Sequence, residues 1–537
     1  MLFAILLPVR QIHPTAWLLV IISAILQILI FPLPGVYILS WFALAPLLVA
    51  ILRARPRGDL EVPGSPRLQP ATPWQGFLLG YVCGIVWYAG TCYWIFDTMR
   101  QYGGLNTPLA LLVLFLFCCY LGLYHGVFGL LVSLLASGRD YRRALVLSPF
   151  LWVAVELART RITGFPWNLL GVAQVDNVAL CHIAGWTGVY GISFEIALVN
   201  VALAAACLIP KQKRSAMLVA ALTAAAVLQA GRLVDASPAH TDRSAILVQQ
   251  NIPVSADWTP AYFEQTLSDL TQLTTKSVQS NATPTDLVVW PESPAPFFTN
   301  DPRFRANLSE LAQKTNSWII AGSIGSNAAS PNVEGPVFNS AAVISPTGQW
   351  TARYDKVHLV PFGEYLPFPS LFSFAGGLTK EVGQFEHGTS RRPLDAGGER
   401  VGIFICYESI FPDEVRQSAA QGAALFVNIS NDGWYGDSGA YAQHLNQTRM
   451  RAIENDRWLL SATDTGVTAA IDPWGRIVFR IPRKTRAALP ARYALSSVTT
   501  FYTRHGDWLP YACAIISIGA LLERFTLATR KKADTSA

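Results

Sequence analysis

Two hydrophobic patterns divide this chain. From residue 16 to 231, long apolar runs follow one another with little polar interruption, at 16–33, 36–53, 75–96, 108–136, 144–160, 188–209 and 215–231. An eighth run lies at 508–525. Each approaches the roughly 20 residues an α-helix needs to cross a bilayer. Between 235 and 505 the pattern changes, and short β-branched runs alternate with amphipathic stretches. Strands are predicted at 245–249, 286–290, 318–322, 341–344, 401–405 and 424–429, and helices at 263–277, 303–314, 411–421 and 443–455. Hairpins turn at Ser345-Pro-Thr-Gly348 and Asp472-Pro-Trp-Gly475. The expectation is a polytopic α-helical membrane domain of about eight transmembrane helices joined to an α/β domain with a mostly buried sheet. The domains are placed at 1–235 (spans 1–7), 236–500 (an extracytoplasmic domain) and 501–537 (span 8 and a cytoplasmic tail).

Composition agrees with a membrane protein that carries a water-soluble part. Of 537 residues, 51% are hydrophobic and only 14% charged. The net charge of +6 sits in short loops. Arg53, Arg55, Arg57 and Arg67 follow the second run, Arg139, Arg142 and Arg143 the fourth, and Lys211, Lys213 and Arg214 the sixth. Arg524, Arg530, Lys531 and Lys532 follow the eighth, whereas the alternate loops hold fewer basic residues. The positive-inside rule then puts both termini in the cytoplasm and 235–505 on the outer face. No basic stripe is interleaved with aromatics, so a nucleic-acid partner is not expected. Met1–Pro8 is too short to span, and no small-residue cleavage site follows it, so no removable signal peptide is expected.

Eight cysteines are present. Seven lie in or near apolar segments; Cys406 stands alone in the polar region, and no Cys-x-x-Cys pair suggests zinc or a dithiol. Cys406 ends the run Val401-Gly-Ile-Phe-Ile-Cys-Tyr-Glu-Ser409. A strand, a cysteine and a helix in succession suit an exposed nucleophile at a sharp turn, although a lone cysteine is more often a small buried one. Val288-Val-Trp-Pro-Glu-Ser293 projects Glu292 from a strand end, where a capping or surface carboxylate is the alternative. Tyr354-Asp-Lys-Val-His-Leu-Val-Pro-Phe-Gly-Glu364 offers Lys356, which could also be a solvated lysine. Together the three make chemical sense. A carboxylate takes the thiol proton, the thiolate attacks a carbonyl, and an ammonium stabilises the oxyanion. His358 and His444 read as structural, and no metal or dissociable cofactor is expected. Glu156 and Glu195 lie in or near spans and are expected to face the protein interior.

The order Trp-Pro-Glu, Asp-Lys-x-His, Cys-Tyr-Glu resembles the nitrilase, or carbon–nitrogen hydrolase, superfamily, which implies a Glu-Lys-Cys triad on an αββα sandwich. Five further motifs narrow the resemblance to the apolipoprotein N-acyltransferase family of the bacterial inner membrane. They are Gly164-Phe-Pro-Trp167, Val248-Gln-Gln-Asn-Ile-Pro253, the stretch from Lys356 through Glu364-Tyr-Leu-Pro367, Asn428-Ile-Ser-Asn-Asp-Gly-Trp434, and Tyr502-Thr-Arg-x-Gly-Asp507. The resemblance implies Glu292 as general base, Lys356 as charge stabiliser and Cys406 as nucleophile. It also implies support from Glu364, Tyr407 and Glu408, with a backbone N–H after the nucleophile joining the oxyanion hole. Trp258 corresponds to an aromatic on an arm over the site. Gln250 and Asp464 depart from the pattern, standing where glycine and asparagine are common.

The implied reaction moves an acyl chain from a membrane phospholipid, phosphatidylethanolamine by the resemblance, to Cys406. From there it passes to the α-amine of a diacylglyceryl-cysteine at an apolipoprotein N-terminus. A monomer suffices for this. A membrane-tethered amidase or nitrilase using the same triad with water is the alternative. So is a non-catalytic scaffold, against which the intact triad counts. The loop Thr163–Asn168 is expected either at the membrane interface beneath the outer domain or as an ordinary aromatic belt.

Overall fold

The computed structural model describes residues 11–56, 68–136, 141–209, 211–237, 239–328, 335–366 and 385–536. Met1–Pro8, Arg57, Arg67, Arg139 and Pro367 therefore lie outside the described residues. The chain divides into two units. The first comprises Met1–Phe96, Pro108–Val234 and Asp507–Ala537; the second comprises Asp97–Thr107 and Asp235–Gly506.

The first unit is helical. Its principal helices are α1 (Pro14–Leu29), α2 (Ala45–Leu52), α3 (Pro73–Thr91), α4 (Trp94–Gln101, which ends in the second unit), α5 (Thr107–Leu135), α6 (Arg142–Ala158), α7 (Val189–Leu208) and α8 (Lys211–Ala230), with α13 (Trp508–Ser536) closing the chain. Helix α3 starts on a reciprocal cap: Thr72 accepts from the Gln75 backbone N–H, and Gln75 returns a bond to the Thr72 N–H. Small residues let α3 and α5 touch. A Cβ added at Gly80 would lie 2.1 Å from the His125 carbonyl oxygen, so this crossing requires glycine.

Among the described residues, four helices are long and apolar enough to cross a membrane, those at Thr107–Leu135, Val189–Leu208, Gln212–Leu233 and Trp508–Leu527. A fifth is gained if α3 and α4, which meet at 54°, form one broken span. The runs predicted at 16–33 and 36–53 form helices too short to count. Helix α6 begins with Arg142 and Arg143 and contains Pro149. Of the two acidic residues expected to face inward, Glu156 is buried, whereas Glu195 is only partly so.

The second unit is a four-layer sandwich. One sheet contains β1 (Arg243–Gln249), β2 (Leu287–Val289), β3 (Trp318–Ser326), β4 (Val337–Ile344) and β5 (Trp350–Asp355), with β12 (Ala487–Tyr493) at its other edge, in the order β12-β1-β2-β3-β4-β5. The other contains β6 (Leu394–Asp395), β7 (Arg400–Ile405), β8 (Leu425–Ser430), β9 (Leu459–Thr463), β10 (Thr468–Ile471) and β11 (Ile477–Ile481), in the order β11-β10-β9-β8-β7-β6. The central pairs β1–β2, β2–β3, β7–β8 and β8–β9 are parallel.

Period-2 alternation explains the layers. Ala245, Leu247, Val289 and Ile320 of one sheet meet Val401, Ile403, Val427 and Leu460 of the other in one buried core. The opposite faces pack outward. Ile246, Val288 and Ile319 lie against α9 (Pro260–Ser280) and α10 (Pro302–Thr315). Phe404, Phe426 and Leu459 lie against α11 (Pro412–Ala420) and α12 (Ala440–Asn455). Strands buried on both faces read as continuous apolar runs.

All six predicted strands form, and both hairpin turns join the strands expected of them. Strands β6, β9 and β12 were not anticipated. Pro490 lies inside β12, and the strand is tolerated because it sits at a sheet edge.

Candidate active site

Strand ends bring the chemistry together. Strand β2 ends at Val289; Pro291, two residues on, has no N–H to continue the ladder, and Glu292 follows. The turn packs tightly on β3: a Cβ at Gly322 would lie 2.0 Å from the Pro291 carbonyl oxygen and 2.6 Å from the Ser293 nitrogen. Ser293 has a positive φ of 31°, so this corner is strained. Strand β5 ends just before Lys356, whose N–H donates to the Asn339 carbonyl at 2.8 Å. Strand β7 ends just before Cys406. The functional groups thus gather just beyond the carboxyl ends of β2, β5 and β7, strands drawn from both sheets.

The charged groups form one buried cluster. Lys356 Nζ donates to Glu364 Oε1 at 2.8 Å and lies 3.5 Å from Glu292 Oε1. Asn339 Nδ2 donates to the same two oxygens, at 2.6 Å to Glu364 and 2.7 Å to Glu292. The second oxygens are held by backbone: Asn431 N–H donates to Glu292 Oε2 and Val360 N–H to Glu364 Oε2, both at 2.7 Å. Glu292, Lys356 and Glu364 are all under 10% exposed. Burial opposes the charge on Lys356, but Glu364 and then Glu292 outweigh it, and the ammonium is held well above its ordinary pKa.

Cys406 sits beside these charges. Burial pushes its thiol well above the ordinary range, and the Glu292 carboxylate pushes it further, while Lys356 pulls the other way. Asp432 and Glu364 also raise it. The thiol therefore stays protonated at neutral pH and needs a base to become a nucleophile. Its φ of +51° places a residue with a side chain in the left-handed region, the signature of a sharp strand-to-helix elbow. A short helical turn, Cys406–Ile410, precedes α11.

Glu408 braces that elbow. Its carboxylate accepts from Ile405 N–H at 2.8 Å, Val357 N–H at 2.8 Å, His358 N–H at 3.1 Å and the Tyr354 hydroxyl at 2.9 Å. It ties the strand that presents Cys406 to the loop that presents Lys356. Tyr407 is buried, with its ring edge-on to His358 and Phe411. His358 bonds Glu414 at 3.0 Å.

The sequence-derived candidates separate into two groups. Glu292, Lys356, Glu364 and Cys406 lie in one cluster, with Tyr407 and Glu408 on the elbow. Trp258 instead packs against Tyr262 with the rings tilted by 32° and centroids 5.0 Å apart, partly buried beside the α9 core. Two participants were not anticipated, Asn339 and the backbone of Asn431. A buried asparagine inside the apolar strand Val337–Ile344 was the available signal for the first. The Gly164-Phe-Pro-Trp167 loop is packed within the helical unit, where Trp167 O accepts from Arg159 Nη1 at 2.9 Å.

Residues 245–502 match the family model described as Carbon-nitrogen hydrolase. The second unit is thus a nitrilase-like carbon–nitrogen hydrolase domain. Residues 23–202 match the model of the apolipoprotein N-acyltransferase N-terminal domain. A protein named apolipoprotein N-acyltransferase from Geobacter metallireducens is 36% identical over 507 residues, covering 93% of each chain. One of the same name from Methylococcus capsulatus is 33% identical, covering 82% of this chain and 85% of its own. Nit3 of Saccharomyces cerevisiae, a nitrilase superfamily structure, is 18% identical with a TM-score of 0.37, covering 47% of this chain and 90% of that one. The chain belongs to the apolipoprotein N-acyltransferase family.

Proposed function

We propose that this protein is the acyltransferase its relatives are named for, moving an acyl chain from a membrane phospholipid to the N-terminal amine of a lipidated apolipoprotein through a thioester on Cys406. The observation that carries this reading is a buried Cys406 thiol beside a Lys356 ammonium and two carboxylates, in a chain that also bears apolar helices of membrane-spanning length.

The chemistry follows from those groups. Glu292 takes the proton from Cys406 Sγ as sulfur bonds to the ester carbonyl carbon. Lys356 and the Tyr407 N–H stabilise the oxyanion. The ester C–O bond then breaks, and the lysophospholipid leaves with the proton returned from Glu292. The acceptor amine attacks the thioester in turn and gives its proton to Glu292. The C–S bond breaks, and the thiolate recovers the proton. Glu364 and Asn339 keep Lys356 and Glu292 in register, and Glu408 holds the elbow. Trp258 acts from its arm as a lid that limits water at the thioester.

The finer assignments are these. Phosphatidylethanolamine serves as donor and a diacylglyceryl-cysteine as acceptor, and the protein works as a monomer. Eight spans place both termini in the cytoplasm and the catalytic domain, 236–500, on the periplasmic side of a bacterial inner membrane; support comes from the basic loops. The shorter apolar helices count as spans on this reading, packed among longer neighbours.

Intact-mass measurement tests the reaction. Incubation with phospholipid should add one acyl mass, mapped to Cys406 and released by hydroxylamine. A diacylated lipopeptide should then remove that mass and gain an amide-linked chain. An unmodified Cys406 peptide would defeat acyl transfer. Discharge by water as fast as by lipopeptide would instead make the protein a hydrolase.

A further inference from the structure

Beneath the elbow lies a histidine that the reaction scheme above leaves unused. His444, on α12, is 2% exposed. Its Nδ1 lies 3.1 Å from Asp432 Oδ1. Its Nε2 lies 3.0 Å from the Cys406 carbonyl oxygen and 2.8 Å from Ser409 Oγ.

The two oxygens decide the proton count. A carboxylate accepts only, so Nδ1 must donate to Asp432. A peptide carbonyl also accepts only, so Nε2 must donate to Cys406. A neutral ring has one N–H and would turn a lone pair on one of these oxygens. If the Ser409 hydroxyl donated to Nε2, that lone pair would still face the Cys406 carbonyl at 3.0 Å. An imidazolium, with a proton on each nitrogen, satisfies both oxygens at once. The groups facing it agree: Asp432 from the loop after β8 and Glu292 from the turn after β2 both favour the cation, against burial, and the ring is held above its ordinary pKa. The Tyr435 ring packs on it at 5.7 Å.

The carbonyl that His444 binds belongs to the peptide joining Cys406 to Tyr407. In a trans peptide the C=O and N–H point in opposite directions and share one delocalised system. A positively charged donor on the oxygen draws electron density from the nitrogen, and the N–H at the far end becomes a stronger donor. That N–H is the Tyr407 donor assigned above to the oxyanion.

We propose that His444 is a positioning residue, kept as a buried imidazolium by Asp432, that polarises the Cys406–Tyr407 peptide and so strengthens the oxyanion hole from behind. Its proton stays in place throughout the cycle. The same bond holds the Cys406 backbone in its left-handed conformation. This proposal rests on the acyl-transfer reading for its consequence, not for the protonation state.

Two experiments test it. The first uses the wild-type protein in detergent with 15N-labelled histidine, the signal of His444 among eight histidines being identified by its loss in His444→Gln. Two protonated ring nitrogens are expected at pH 7; one protonated and one bare nitrogen would overturn the proposal. The second compares His444→Gln with wild type. The substitution keeps a neutral donor and removes the charge. Acylation of Cys406 at saturating phospholipid should fall about thirtyfold, with KM changed less than about twofold. Alkylation of Cys406 by iodoacetamide, which develops no oxyanion, should change less than about threefold. Unchanged acylation, or alkylation falling in step with it, would overturn the proposal. Absence of any acyl adduct in the wild type would defeat the acyl-transfer reading and with it the stated consequence, while the nitrogen resonances would still decide the charge on His444.

Discussion

The Lys356 ammonium lies 2.8 Å from Glu364 and 3.5 Å from Glu292, so its closer carboxylate is not the one proposed as base. A base held tightly by an ammonium loses basicity. Glu364 takes up much of the positive charge and leaves Glu292 able to accept the thiol proton. Replacing Glu364 by Gln should let Lys356 close on Glu292. Acylation is expected to fall about a hundredfold with little change in phospholipid KM. A KM effect alone would show that Glu364 acts in binding.

Lys356→Met removes the cation that pairs with both buried carboxylates. Leaving buried charge uncompensated costs about 3–5 kcal/mol. Both activity and thermal stability should therefore drop, measured as acylation rate and as the unfolding midpoint in detergent. Adding Glu364→Gln to that variant should restore part of the stability but none of the activity. If stability is unaltered in Lys356→Met, the cluster is not the closed unit described.

Glu408 accepts four donors from two separate segments. Glu408→Ala would orphan buried N–H groups and cost about 3 kcal/mol or more. Glu408→Gln keeps the volume but turns two N–H donors toward other donors. Iodoacetamide reactivity of Cys406 and the unfolding midpoint should fall in both variants.

Asp464 is buried, and burial raises its pKa to about 7, against lowering bonds from the Ile252 and Asn251 N–H groups. A carboxyl whose pKa is higher folded than unfolded stabilises the fold fully below its unfolded pKa. That contribution is lost as pH rises through the folded value. The span from 3.8 to about 7 corresponds to about 4 kcal/mol at most. Asp464→Asn keeps an oxygen acceptor for Ile252 and removes the titration. The stability difference between variant and wild type should grow in the variant's favour from pH 4 to pH 8. A constant difference across that window would refute the assignment.

The topology has its own test. A reporter fused near residue 300 should behave as exported, and one at the C-terminus as cytoplasmic. A cytoplasmic signal at the first position would reverse the orientation.

Much of this molecule was legible before any coordinates. Apolar runs are local in sequence and mark helices by length and composition alone. Strands buried on both faces are continuous runs of Val, Ile, Leu and Phe, so 401–405 and 424–429 stood out. Cys406 and Glu292 were visible because each follows such a run, and Lys356 because it follows the second strand of a hairpin.

The tertiary structure decided what those residues touch. That Lys356 lies closer to Glu364 than to Glu292 depends on how the 356–364 loop folds back over Asn339. The role of Glu408 as a brace, and of His444 beneath the Cys406 carbonyl, needs α12 and the loop of β5 packed against the same turn. Spacing along a chain says nothing about such meetings, because hydrogen bonds form between whatever groups the core brings within about 3 Å of each other.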